Sequence, residues 1–362
     1  MSAFRKLLFF ALFLTFDLIM FGTFVRVTDS GLGCPDWPGC YGKASPLGAM
    51  DAIRAEAALR PDGPVTVFKA WVEMLHRYVA AGLGVIVIAL AVMATRIARR
   101  LPDGTAPTGA HTGSAPPGVI LAWFTLFWII LQGIFGAWTV TLKLKPLVVT
   151  AHLLGAMILF GLLLAQAVRV MGHPPIGRAA AGLRGWALLA LAMLFMQIAL
   201  GGWVSTNYAT LVCRDFPTCQ GSWWPPMDFA AGFELWRRLG VSGDGEALPF
   251  QALTAIHYMH RLFAYAVFVV LGMLAWRVRR IDGLQRVGAG LLVVLVLQLI
   301  TGLTNIFLDW PVAAAVLHTG GAAALVGLIL MLNFRARVAA RLPPDAAGQA
   351  AQPGGRLVRA GA

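Results

Sequence analysis

Four cysteines and four histidines recur at matched places in two halves of this chain, and they are the side chains best suited to chemistry. The cysteines come as two copies of C-x-D-[aromatic]-P-x-C. One is Cys34-Pro35-Asp36-Trp37-Pro38-Gly39-Cys40 and the other Cys213-Arg214-Asp215-Phe216-Pro217-Thr218-Cys219. They use every cysteine in the 362 residues. Cysteines this closely spaced predict one disulfide loop per half, Cys34–Cys40 and Cys213–Cys219, in an oxidising compartment. The histidines repeat in the same way. Met74-Leu75-His76-Arg77-Tyr78 answers to Tyr258-Met259-His260-Arg261-Leu262. His152 and His318 each follow a glutamine, Gln132 or Gln298, by 20 residues.

The elements that carry these residues are apolar helices. The chain is 59% hydrophobic and 12% charged, about half the charged fraction of a soluble domain. Apolar runs long enough to span a bilayer recur throughout, so the sequence predicts an all-α polytopic membrane protein. The runs predict eight helices, at about 7–27, 68–95, 118–141, 147–169, 185–206, 251–276, 286–307 and 311–333. The first is too long for a signal peptide alone, lacks an A-x-A site and has a counterpart at 185–206, so it is read as a span. Arginine and lysine concentrate before the first helix, in the connections after the second, fourth and sixth, and after the eighth. By the positive-inside rule both termini are cytoplasmic and the cysteine loops lie outside, as in a bacterial inner membrane. The net charge of +13 then needs no nucleic-acid partner; it is an orientation signal weighted toward anionic lipid.

The repeat divides the chain into an N-terminal four-helix half, 1–170, a C-terminal half, 171–341, and a disordered cytoplasmic tail, 342–362. Each half has an even number of helices, so the two run in the same direction about a pseudo-twofold axis along the membrane normal. The stretches 47–60 and 228–239 are amphipathic and are expected on the outer membrane surface. The Pro/Gly/Ser/Thr-rich stretch 102–117 reads as a linker.

The four histidines fall 5–10 residues inside helices that run inward, roughly 8–15 Å deep at 1.5 Å per residue. Two imidazoles on neighbouring helices at one depth suit bis-histidine ligation of iron in a flat macrocycle, a haem. A lone buried histidine more often just bonds a neighbour, but four in matched pairs inside a bilayer argue for function. Neither pair has the further ligands that structural zinc needs. His111 and His173, in cytoplasmic connections, are set aside. Three residues before His76 stands Glu73; three before His260 stands His257. A carboxylate beside one macrocycle can accept a proton or stabilise cationic charge; Glu73 is also i to i+4 from Arg77 and could simply pair with it. Arg26, Arg77 and Arg261, at outer helix ends, are candidate clamps for haem propionates. Arg26 has no basic counterpart, Ser205 standing near that place, and Asp17 in the first helix is also unmatched. Trp37, Trp71, Trp203, Trp223, Trp224 and Trp310 read mostly as interface anchors.

These residues resemble the haem A synthase family, in its cysteine-bearing form. The resemblance runs from about residue 7 to 335 and is most specific in GTFVRVTDSGLGCPDWPGC (22–40), EMLHR (73–77), AHLLG (151–155), HYMHR (257–261) and LHTGG (317–321). It implies oxidation of the C8 methyl group of haem O to a formyl group, giving haem A for terminal oxidases. It further implies a haem b on His260 and His318, the substrate haem on His76 and His152, and Glu73 at the reaction centre. Haem O synthase, oxidase assembly factors and a second copy of the chain are the partners this suggests. No Rossmann glycine motif is present, so nicotinamide or flavin is not indicated. Two other classes compete: a di-haem b-type electron carrier or quinone oxidoreductase, and a thiol-disulfide exchanger or haem transporter. The first leaves the unequal Glu73 and His257 unexplained. The second fits poorly because redox cysteines usually stand two residues apart.

Overall fold

The computed structural model describes residues 1–61, 63–100, 117–171, 176, 178–242 and 245–339. The stretch 102–116, His111, His173, Arg341 and the tail 342–362 lie outside the described residues. Among those described, ten α-helices and no named strand occur: α1 (Ser2–Val27), α2 (Met50–Leu59), α3 (Val67–Arg99), α4 (Val119–Thr141), α5 (Pro146–Val170), α6 (Arg184–Thr206), α7 (Phe229–Gly232), α8 (Phe250–Val278), α9 (Gln285–Phe307) and α10 (Val312–Ala339). All but α2 and α7 are long and apolar enough to cross a membrane. Helix is the form an apolar run must take in lipid, because each backbone N–H and C=O then finds its partner within the segment.

The helices at four ends outrun the predicted apolar segments. α3 continues to Arg99, α8 to Val278 and α10 to Ala339, while α1 starts at Ser2. Their last turns carry Arg96 and Arg99, Arg277, and Arg337. Apolarity marks the bilayer; the helix itself runs on into a basic turn whose side chains can reach water.

Each half closes on itself. α1, α3, α4 and α5 pack in a ring in which every helix touches two neighbours, and α6, α8, α9 and α10 repeat that ring order. The rings meet where α1 packs on α10, α6 on α5, and α5 on α10. Small residues allow the last crossing: a Cβ on Gly161 would sit 2.9 Å from Leu330 Cδ1, and one on Gly327 3.2 Å from Phe160 Cε1. With no hydrophobic drive between helices in lipid, such close approach is what holds them. Leu8, Leu83, Leu90 and Leu163 fill the first ring; Leu271, Leu274, Val326 and Ile329 fill the second.

Above the rings lie the two long loops. In the first, 47–60 yields α2, which seats Ile53 against Cys34, Cys40 and Met74. In the second, only α7 within 228–239 is helical. That stretch departs from a surface amphipath: Arg237 is 3% exposed and its Nη2 donates to Asn207 Oδ1 at 2.6 Å. Gly232, the last residue of α7, lies against α8, where a Cβ would be 2.9 Å from the Ala252 carbonyl.

Candidate functional site

Each of the four repeated histidines faces a glycine on the neighbouring helix. A Cβ on Gly22 of α1 would lie 3.2 Å from His76 Nε2, and one on Gly201 of α6 2.9 Å from His260 Cε1. On Gly136 of α4 it would lie 3.5 Å from His152 Cε1, and on Gly302 of α9 3.5 Å from His318 Cε1. Three of these glycines end the same pattern, Q-x-x-x-G, at 132–136, 197–201 and 298–302; in α1, Leu18 takes the glutamine's place. The packing is reciprocal on α4–α5 and α9–α10. Gln132 lies in contact with Gly155, three residues after His152, and Gln298 occupies the same position over Gly321, three after His318. Every imidazole thus lies in a notch cut by the missing side chain across from it.

The donor set fits iron in a macrocycle. All four histidines are half-buried. His76 and His152 are within electrostatic reach of each other, as are His260 and His318. Nδ1 of His152 is buried with no hydrogen-bond partner, and a neutral imidazole in that state still has a lone pair to give. Backbone of Leu18, Gln197 and Gln298 meets the rings of His76, His260 and His318 respectively. Backbone contact of this kind fixes the tautomer of a metal-binding histidine.

The cysteine loops roof these notches in the same way in both halves. Cys34 is bonded to Cys40 and Cys213 to Cys219, and all four are 0% exposed. Asp36 accepts from the amides of Tyr41 and Gly42 at 2.6 and 2.8 Å. Asp215 accepts from Gln220 and Gly221 at 2.8 and 3.0 Å, and from the Thr218 hydroxyl at 2.6 Å. Burial would push the Asp215 carboxyl up, but these hydrogen bonds outweigh it and hold the carboxyl at about 2.

A guanidinium fills each loop. Arg77 Nη1 donates to the carbonyls of Asp36 and Gly39 at 2.9 and 2.7 Å. Arg261 Nη1 donates to the Asp215 carbonyl at 2.7 Å and to that of Thr218. These two arginines, expected at propionates, are taken up by the loops instead; nothing in the sequence signals that a loop folds back over its own following helix. Arg26 reaches across the halves: Nη1 pairs with Asp29 at 2.9 Å, Nη2 donates to the Ser205 carbonyl at 2.5 Å, and the group lies 4.1 Å over the Tyr208 ring.

Glu73 and His257 sit at equivalent points beneath the loops, 4% and 5% exposed. Glu73 Oε1 accepts from Arg77 Nη2 at 2.5 Å, and Oε2 accepts from the Cys34 amide at 2.8 Å. The i to i+4 ion pair is therefore present, and the carboxylate is tied to the disulfide backbone as well. His257 Nε2 lies 3.2 Å from Arg261 Nη2, which can only donate, so Nε2 is the acceptor. Its proton is then on Nδ1, donated to the Ala209 carbonyl at 2.9 Å. Both nitrogens of His257 are engaged by protein. Trp203 is buried and donates to the Gly232 carbonyl at 2.9 Å, so it is no interface anchor. Asp17 is half-buried on α1 and has no ion-pair partner among the described residues.

Comparison with known proteins agrees in scale with this arrangement. The COX15-CtaA family model, described as cytochrome oxidase assembly protein, matches residues 5–330. A heme A synthase of Shewanella oneidensis is 35% identical over 322 residues, 88% of this chain and 92% of that protein. One of Caulobacter vibrioides is 30% identical over 354 residues, 91% and 95% of the two chains. One of Halalkalibacterium halodurans is 27% identical over 228 residues, 61% and 66%.

Proposed function

The chain belongs to the COX15-CtaA family, and from that membership we propose that it is a haem A synthase: an oxidoreductase that converts the C8 methyl group of haem O to formyl. The observation that carries this reading is the set of four histidine–glycine notches, two per half, with Glu73 over one pair and His257 over the other. In this reading the substrate iron is held by His76 and His152 and a resident haem b by His260 and His318.

His76 and His152 orient haem O so that one edge of the ring is presented to the outer end of the first half. Gly22 and Gly136 give those imidazoles room to stand in line with the iron. Glu73, one turn outward from His76, accepts a proton from the reacting edge. The Cys34 amide and Arg77 hold its two oxygens in place, and the disulfide fixes the Cys34 backbone. Turning the methyl group into a formyl group takes up one oxygen atom from water and gives up protons and electrons; a haem b held by His260 and His318 would supply one-electron chemistry for passing those electrons to an acceptor. Arg26 uses two of its five N–H groups on protein and has three for a propionate.

The domain split at about residue 170, the inner-membrane location with cytoplasmic termini and outward loops, and association with haem O synthase, oxidase assembly factors or a second copy belong to the same proposal. Thiol exchange draws no support from four fully buried cysteines, since attack on a disulfide needs access. The test is extraction and chromatography of haems from protein purified after co-expression with haem O synthase. Accumulated haem A is expected. Haem O retained with no haem A, in a protein that binds haem fully, would overturn the proposal.

A further inference from the structure

The two halves hold their histidines differently. In the second half Thr301 Oγ1 lies 2.9 Å from His318 Nδ1. The hydroxyl's one hydrogen goes to the Leu297 carbonyl at 2.8 Å, so its oxygen accepts the Nδ1 proton of His318. The Gln197 Nε2, which can only donate, lies 3.1 Å from His260 Nδ1 and donates to the His260 carbonyl, also at 3.1 Å, so it offers no acceptor for a ring proton of His260. In the first half the repeat puts Phe135 where Thr301 stands and Leu18 where Gln197 stands. Neither side chain can hydrogen-bond. Nδ1 of His152 is buried without a partner. Backbone contact from α1 to His76 matches that from α6 to His260, so the difference between the halves lies at His152 and His318.

We propose that Thr301 is a positioning residue that locks the ring orientation of His318 and makes the second half retain its haem, whereas Phe135 leaves His152 free to turn and makes the first half exchange its haem. This rests on the reading of the four histidines as iron ligands. The physical reason is that an outer hydrogen bond fixes a ligand ring and raises its basicity, and its loss costs 10–100-fold in affinity. A ring without one must be immobilised by each incoming iron and is released with it. A site that takes in substrate and lets out product every turnover needs the second behaviour; a resident group needs the first.

The experiment follows haem transfer from the full-length, haem b-loaded protein to excess apomyoglobin by absorbance, with electron paramagnetic resonance of the ferric low-spin signal to report ring orientation. T301F writes the first-half residue into the second half. It should release haem b about 10–100-fold faster and alter the low-spin signal. T301V alone should give part of the effect and T301S should restore wild-type release. F135T should slow release from the first half. Release within about twofold of wild type for T301F, or no recovery in T301S relative to T301V, overturns the proposal. If His260→Ala and His318→Ala themselves keep haem b with unchanged release, the ligand reading has failed instead.

Discussion

Replacing Gly201 with alanine tests the notch directly. The new Cβ would stand 2.9 Å from His260 Cε1, 3.5 Å from Nδ1 and 3.7 Å from Nε2. Carbon atoms rest at about 3.5–4.0 Å, so the ring must retreat by about 0.6 Å or more, or α6 must move off α8. That retreat exceeds the ~0.5 Å within which a ligand has to be held. Overpacking of this size costs about 1–3 kcal/mol, which equals about 5- to 150-fold in haem b affinity at 1.4 kcal/mol per decade. Alanine is also the better helix former by about 0.8–1.0 kcal/mol, which offsets part of that cost in the haem-free fold. Haem b content and its low-spin absorption bands are the readout, beside thermal unfolding of the haem-free protein. The distances set an order: Gly201→Ala hits hardest, Gly22→Ala at 3.2 Å from His76 Nε2 less, and Gly136→Ala and Gly302→Ala at 3.5 Å least. Full haem b affinity in Gly201→Ala, or equal damage in Gly302→Ala, would refute the reasoning.

Glu73→Gln should leave haem content near wild type and lower haem O conversion about 10²-fold or more, with His257→Gln milder; equal small effects on conversion would make Glu73 a structural partner of Arg77 only. Opening the first loop with C34S/C40S removes a closure of six residues in sequence, worth about 2–3 kcal/mol of loop order. Limited proteolysis should then cut between 35 and 43 in the variant and not in wild type, and conversion should fall because Glu73 loses its fixed amide. Arg261→Ala leaves the carbonyls of Cys213, Asp215 and Thr218 without their donor, and protease sensitivity in 213–222 measures the expected loosening; an unchanged digest would contradict the loop role.

Much of the fold was legible because lipid makes apolar length a strong signal, and because the cysteines and the four histidines came in matched copies. The eight spans, the two disulfide loops and the histidine pairs are read from those two facts. Helix ends at Arg99 and Ala339 were not, since helix outlasts apolarity there. The arginines are a different case. Arg77 and Arg261 stand at outer helix ends like propionate clamps, and only the path of the loop over the helix shows their guanidiniums inside it. Buried Arg237 and Trp203 read as surface residues in the sequence because each looks like one until Asn207 and Gly232 are brought beside it. The glycines facing the histidines left a signal, Q-x-x-x-G three times over, but its meaning needs the neighbouring helix.

Pigment analysis of two double variants tests the division of labour between the halves most directly. H76A/H152A and H260A/H318A are each purified after co-expression with haem O synthase, and their haems are extracted and chromatographed. The account predicts haem b without haem O or haem A in the first variant, and loss of haem b in the second. Haem b missing from H76A/H152A yet retained by H260A/H318A would contradict it.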